Sequence, residues 1–203
     1  MINAKPSIPV CILAGRQSRR FGKPKGLASL NGQRLIDIVL RRLNAQTSGP
    51  LLLNCDPAGP YSKLGLPMKP DGLPGDLGPL AGVHTAMEWG REHGFDLVAT
   101  CLIDVPFLPE NTIEELSRLA APSVCASDAQ CHPLIGLWPY ALAGDLADFL
   151  KAGPRSAHSW VEKANAGIVE FPKRPDGNDP FFNINNQSDL KQAMQVSSLS
   201  GSP

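Results

Sequence analysis

The sequence predicts an α/β fold, a single Rossmann-like doubly wound and mostly parallel sheet with helices on both faces. Three observations carry this. Short apolar runs closed by glycine, asparagine or aspartate alternate with longer segments of helical spacing. Strands alternating with helices build a parallel sheet. The residues that close the runs are polar, and open sheets of this kind bind ligands beyond the carboxyl ends of their strands.

Taken in order, Pro9 to Leu13 is the first strand and stops at Gly15. After a basic loop, GQRLIDIVLRRLNAQ places Leu35, Ile36, Val39, Leu40 and Leu43 on one helical face. PLLLNC at 50–55 is a second strand, and LGLPMKP at 64–70 a weaker third that leads to Asp71. LAGVHTAMEWGREHG opens a helix after Gly78 and Pro79 and closes it at Gly94. Phe95 to Ile103 is the most apolar strand and meets Asp104, and ENTIEELSRLAA follows as a helix. Four predicted strand ends, Gly15, Asn54, Asp71 and Asp104, thus point into one crevice.

The second half is less regular. SVCAS and HPLIGLWP read as strands, YALAGDLADFLKAG and SAHSWVEKANA as helices, and PFFNINNQSDLKQAMQ as a final strand feeding a helix. Residues 1–195 are expected to form one domain, and the small polar stretch 196–203 a flexible tail.

The 203 residues carry 19 basic and 19 acidic side chains, so no overall field draws in nucleic acid or an anionic membrane, and neither is expected as a partner. Five cysteines form an odd set without a CxxC pair, and Cys11, Cys101 and Cys125 sit in apolar runs, which favours a reducing compartment. With no long apolar span and no signal-peptide core at the N-terminus, the expected location is cytoplasmic.

Any anion site must then be local, and residues 16–25 supply one candidate. Arg16, Arg19, Arg20, Lys23 and Lys25 repel one another unless something negative lies among them. A phosphate chain meets that need, since a strand-loop-helix turn can face backbone amides to phosphate oxygens while Arg20 and Lys25 neutralise them. A solvated surface loop is the alternative. The P-loop does not fit: six residues separate Gly15 from Gly22, and Pro24 follows Lys23 where Ser or Thr is required. The GxGxxG pattern is also absent.

Asp104, behind a buried run and beside Pro106, offers a rigid oxygen to a hard cation such as Mg2+, or else caps a turn. Asp71 is likewise a candidate ligand or a turn-former. His84, His93, His132 and His158 match no zinc spacing, and no Gly-x-Ser-x-Gly elbow or Cys–His pair calls for nucleophilic catalysis. Arg155 is either a contact for an acceptor or a loop cation at a helix start.

In this order, LAGRQSRRFGKPKGL, NCD, PDGLPGDLGPLAGVHTAM, CLIDVPFLP, HPLIGLWP and FFNINNQSDL resemble the molybdenum cofactor guanylyltransferases, the MobA family of nucleotidyltransferases. The resemblance runs from about Val10 to about Met194. It implies transfer of GMP from GTP to the phosphate of molybdopterin, in its molybdenum-loaded form, with pyrophosphate leaving and Mg2+ required. By motif it assigns Leu13, Ala14 and Gly15 to guanine and ribose, and Lys25 with Arg20 to phosphate. Asn54 and Asp71 fall to base and ribose, Asp104 to the metal, and Asn183 and Asn185 to the acceptor. Arg155 would add a pterin contact. The nucleotide part would span about 8–110 and the acceptor part about 111–195. Transient handover to cofactor-insertion proteins or molybdoenzyme chaperones is also implied.

Two positions depart from the family's usual pattern: Arg16 stands where a second glycine is usual, and Pro24 where an aspartate precedes the lysine. Two alternatives follow. A molybdopterin cytidylyltransferase using CTP shares the chemistry but usually carries Leu-Ala-Ala-Gly, so Gly15 favours guanine. A catalytically inactive nucleotide-binding or partner-binding homologue would keep the fold alone.

Overall fold

The computed structural model describes residues 5–15 and 24–199. Its centre is a seven-stranded sheet in the order β5-β4-β1-β6-β8-β7-β9. In chain order these strands are β1 (Val10–Leu13), β4 (Leu51–Asn54), β5 (Met68–Lys69), β6 (Leu97–Leu102), β7 (Ser123–Ser127), β8 (Gln130–Pro139) and β9 (Gly167–Phe171). Between β1 and β4 a separate two-stranded hairpin forms from β2 (Ser29–Leu30) and β3 (Gln33–Arg34).

β1 pairs parallel with both β4 and β6, β4 with β5, and β7 with β9. Only β8 is reversed, lying antiparallel to β6 and β7. The mostly parallel sheet expected from the alternation is therefore present. All carboxyl ends except that of β8 lie along one edge.

The period-two alternation within β1 separates two cores. Val10 and Ile12 face a cluster with α1 (Leu35–Gln46) and α3 (Thr112–Arg118), through Ile36, Val39, Leu43, Ile113 and Leu116. Cys11 and Leu13 face the opposite cluster with α2 (Leu80–Glu92), α4 (Ala143–Lys151) and α5 (Ala157–Lys163), through Val83, Met87, Leu146, Leu150 and Trp160. A smaller third core joins Leu30 and Leu35 to Ile184, Leu190 and Ala193, and so ties α6 (Gln187–Leu199) to the hairpin.

Three expectations need correction. The stretch from Pro180 to Asn185 is not a strand: the Asp179 carboxylate accepts the Phe181 amide at 2.8 Å and bends it into a turn. The last strand is instead β9, whose outward Ile168 is half exposed. Within the stretch expected to be a tail, residues 196–199 are helical, because α6 continues to Leu199. The hairpin was also not foreseen, although Asn31 and Gly32, at φ 49° and 84°, supply the left-handed pair that such tight turns require. Among the described residues no helix is long and apolar enough to cross a membrane.

Candidate functional site

The site assembles on the shared carboxyl edge around β1, β4 and β6. Leu13 ends β1 and accepts the Ile103 amide at 3.2 Å, while the Ala14 amide donates to the Asn54 carbonyl at 3.3 Å. The chain then turns outward at Gly15, exposed and at φ +65°, where a side chain would be strained. Leu13, Ala14 and Gly15 therefore form a ledge between Asn54 on one side and the Asp104 turn on the other.

Asn54 and Asp71 come together, as their two strand ends suggested. The buried Asn54 carboxamide donates to Asp71 Oδ1 at 3.1 Å and to the Lys69 carbonyl at 3.1 Å. Gly82 in α2 presses against the same group: a Cβ there would lie 2.4 Å from Asn54 Oδ1 and 2.9 Å from Leu13 Cδ2. Only a glycine lets the helix approach so closely.

On the other flank Lys25 opens a short 3-10 turn, Lys25–Leu27, behind Pro24. Its ammonium forms an ion pair with Asp104 Oδ2 and donates to Asn185 Oδ1 at 2.9 Å. The turn is fixed from behind, since the Gly26 amide donates to the buried Tyr61 hydroxyl at 3.1 Å, and a Cβ on Gly26 would meet Ile103 Cδ1 at 2.5 Å. Asp104 is pinned too, its carbonyl accepting the Ile184 amide at 3.0 Å.

Burial raises the Asp104 carboxyl above the usual aspartate value, while the Lys25 ammonium pulls against that rise. One ammonium thus offsets only part of the cost of burying this charge. Among the described residues Asp104 Oδ1 meets no hydrogen-bond partner, and neither does the buried Asn183 Oδ1. A buried carboxylate oxygen of this kind suits a divalent cation such as Mg2+, which takes one or two carboxylates from protein and completes its shell with water and phosphate oxygens. Among the described residues no cluster of three His, Cys, Asp or Glu offers an all-protein cage.

Asn183 and Asn185 sit before α6, and their placement follows from its capping. The Asn186 side chain accepts the Ser188 and Asp189 amides at 2.8 and 3.0 Å, and Asp189 reciprocates to the amides of Asn185 and Asn186 at 2.7 and 3.1 Å. Arg155 is placed differently. Its guanidinium donates to the carbonyls of Leu150, Gly153 and Pro154 at 2.6–2.9 Å, capping the carboxyl end of α4. Arg20, with Arg16, Arg19, Gly22 and Lys23, lies outside the described residues.

Sequence reasoning missed Tyr61, Gly26, Gly82 and Thr85. The Thr85 hydroxyl accepts the Gly72 amide at 2.9 Å, holding the loop after Asp71 to α2. Their roles run through backbone placement. Only the glycine-rich GPLAG run, from Gly78 to Gly82, hinted at close packing.

Residues 10–167 match the family model for a MobA-like NTP transferase domain. A molybdenum cofactor guanylyltransferase of Rhizobium meliloti (strain 1021) is 37% identical over 196 residues, covering 91% of this chain and 89% of the relative. The molybdenum cofactor guanylyltransferase of Acidiphilium cryptum (strain JF-5) is 34% identical, with 90% and 91% covered. Among solved structures, molybdopterin-guanine dinucleotide biosynthesis protein A from Archaeoglobus fulgidus superposes with a TM-score of 0.70 at 24% identity, over 95% of this chain and 100% of that one. At that identity the likeness speaks to the fold.

Proposed function

The chain belongs to the MobA-like NTP transferase family, and from that premise we propose that it transfers GMP from GTP to the phosphate of molybdopterin, in its molybdenum-loaded form, releasing pyrophosphate. The observation that carries this is the convergence of Lys25, Asp104 and Asn185 at a strand end beside the Leu13–Gly15 ledge. It brings a phosphate-type cation, a metal-type carboxylate and an acceptor-type amide to one point.

In this reaction an acceptor phosphate oxygen bonds to the α-phosphorus of GTP. The bond from that phosphorus to the oxygen bridging to the β-phosphate breaks, and pyrophosphate leaves with the electron pair. The attacking phosphate monoester has a second pKa near 6, so it is already an anion at neutral pH and needs no dedicated base. The protein's task is to align two anions and neutralise their charge.

Leu13, Ala14 and Gly15 hold guanine and ribose along the ledge, with Asn54 and Asp71 completing the base and ribose contacts. Lys25 exchanges Asp104 for phosphate oxygens when the nucleotide enters, and Arg20 is assigned to the same charge by sequence. Asp104 would hold Mg2+, which when bound would neutralise phosphate charge, and Asn183 stands beside it on the acceptor side. Asn185 takes the acceptor side, and Arg155 serves it only by leaving the carbonyls it caps. Five free cysteines, three of them buried, support a reducing cytoplasm as the compartment. Handover of the product to insertion proteins or chaperones fits the same setting.

The test is product formation from the loaded cofactor, Mg2+ and either GTP or CTP, with the dinucleotide identified by mass. The guanine product with GTP alone is expected. A cytosine product would keep the mechanism and correct the base. No product from a folded sample that binds nucleotide would leave a binding homologue.

A further inference from the structure

Beyond this centre, Ser127, His132 and Asp179 meet at the far half of the same sheet edge. Ser127 ends β7 and is fully buried, and its hydroxyl lies 2.7 Å from Asp179 Oδ1 and 2.8 Å from His132 Nε2. The hydrogen-bond pattern assigns the protons. Asp179 Oδ1 already accepts the Phe181 amide, and as a carboxylate it can only accept, so the single Ser127 proton goes to it. Ser127 Oγ must then accept from His132, which carries its proton on Nε2.

The approach of His132 is built into the strand. Pairing between β7 and β8 jumps from Val124 opposite Gly136 to Cys125 opposite His132, so residues 133–135 bulge out. Bulges of this kind re-aim side chains next to functional sites. The imidazole also packs against the Phe181 ring, with centroids 4.7 Å apart, and Phe181 packs edge-on against Phe171 at 5.2 Å. Asp179 and Phe181 are thereby held at one end of a short segment. Its other end is held by the Ile184 amide on the Asp104 carbonyl and by Asn185 on Lys25.

We propose that Ser127, His132 and Asp179 are positioning residues for the acceptor: they set residues 179–186 so that Asn183 and Asn185 stand at the Lys25–Asp104 centre. This rests on the assignment of Asn183 and Asn185 to the acceptor. The strand order supports a selective effect. β7, β8 and β9 lie on one side of β6, while β1, β4 and β5, which carry the nucleotide ledge, lie on the other. Loosening the three residues therefore releases the acceptor side and leaves the nucleotide side in place.

The experiment measures KM for the molybdenum cofactor and for GTP separately in Ser127→Ala, His132→Leu, His132→Gln and Asn185→Ala, with Tm recorded for each. Ser127→Ala and His132→Leu should raise the acceptor KM about ten-fold, on the scale at which small misplacements slow reactions, with the GTP KM unchanged. His132→Gln should stay closer to wild type, because its amide can donate to Ser127 in place of Nε2. An unchanged acceptor KM in folded Ser127→Ala and His132→Leu would overturn the proposal. So would equal changes in both KM values that track Tm. Asn185→Ala separates the two layers: if it leaves the acceptor KM unchanged, the acceptor assignment fails, and if it alone raises it, the positioning role fails.

Discussion

Lys25 and Asp104, 79 positions apart in the chain, meet as an ion pair that joins the short turn Lys25–Leu27 to the turn after the central strand β6. Their side chains are 14% and 8% exposed, so the pair is largely out of water. A desolvated pair is held together more by what removing one partner would cost than by its own attraction. That asymmetry makes it suited to partner exchange, in which phosphate takes the ammonium and a metal takes the carboxylate.

Replacing Lys25 by Met should leave the Asp104 charge uncompensated and cost about 3 kcal/mol of stability in metal-free buffer. Added Mg2+ should recover part of that loss in the variant and shift the wild type less, since in the variant the ion fills the place of the ammonium. Urea unfolding with and without Mg2+ measures both. Equal Mg2+ shifts in the two proteins would show that Lys25 and the cation do not share Asp104.

Gly82→Ala should weaken GTP binding while the acceptor KM stays constant. The added methyl would stand 2.4 Å from Asn54 Oδ1, and Asn54 is held by Asp71 and the Lys69 carbonyl, so overpacking of about 1–3 kcal/mol falls on the contacts proposed for base and ribose. Titration with a fluorescent guanine nucleotide reads it. Wild-type affinity would mean that Asn54 can move without consequence for the nucleotide.

Two histidines predict how stability depends on pH. Burial lowers His84 below the usual 6.5, with Glu88 opposing and Lys151 assisting. Burial also lowers His132, against Asp179 and Glu170 and with His158. Below about pH 6.5 the unfolded chain takes up protons that the folded chain refuses, so stability is intact above that pH and declines as pH falls through it. The His84→Gln, His132→Gln double variant should show a shallower decline between about pH 7.5 and 5.5 in urea midpoints. Parallel declines would assign the loss to other groups.

Much of the architecture was legible because the strands that frame the site are short apolar runs with a clear stop, Gly15 after Val10–Leu13 and Asp104 after Leu97–Leu102. β9 escaped because its five-residue run, Gly167–Phe171, is short and interrupted by Glu170, and as an edge strand it turns Ile168 and Glu170 outward. Phe181 and Ile184 gave a false strand for the opposite reason: both are buried in cores, but as anchors of a loop. At the site, Asn54, Asp71 and Asp104 were legible as strand ends. The pairing of Lys25 with Asp104, the Tyr61 hydroxyl under Gly26 and the Ser127–His132–Asp179 set depend on contacts between distant segments, which no local pattern encodes. Arg155 shows the converse, a cation in a plausible place whose guanidinium is engaged by backbone carbonyls.

The most direct test follows label from α-phosphate-labelled GTP into the molybdenum cofactor, comparing the wild type with Asp104→Asn, which keeps the shape of the side chain and removes its charge. The account predicts labelled guanine dinucleotide from the wild type and at least a roughly hundred-fold slower transfer from a folded Asp104→Asn, the scale of losing a principal source of charge stabilisation. Undiminished transfer by the variant would show that Asp104 is not at the reacting centre and would contradict the account.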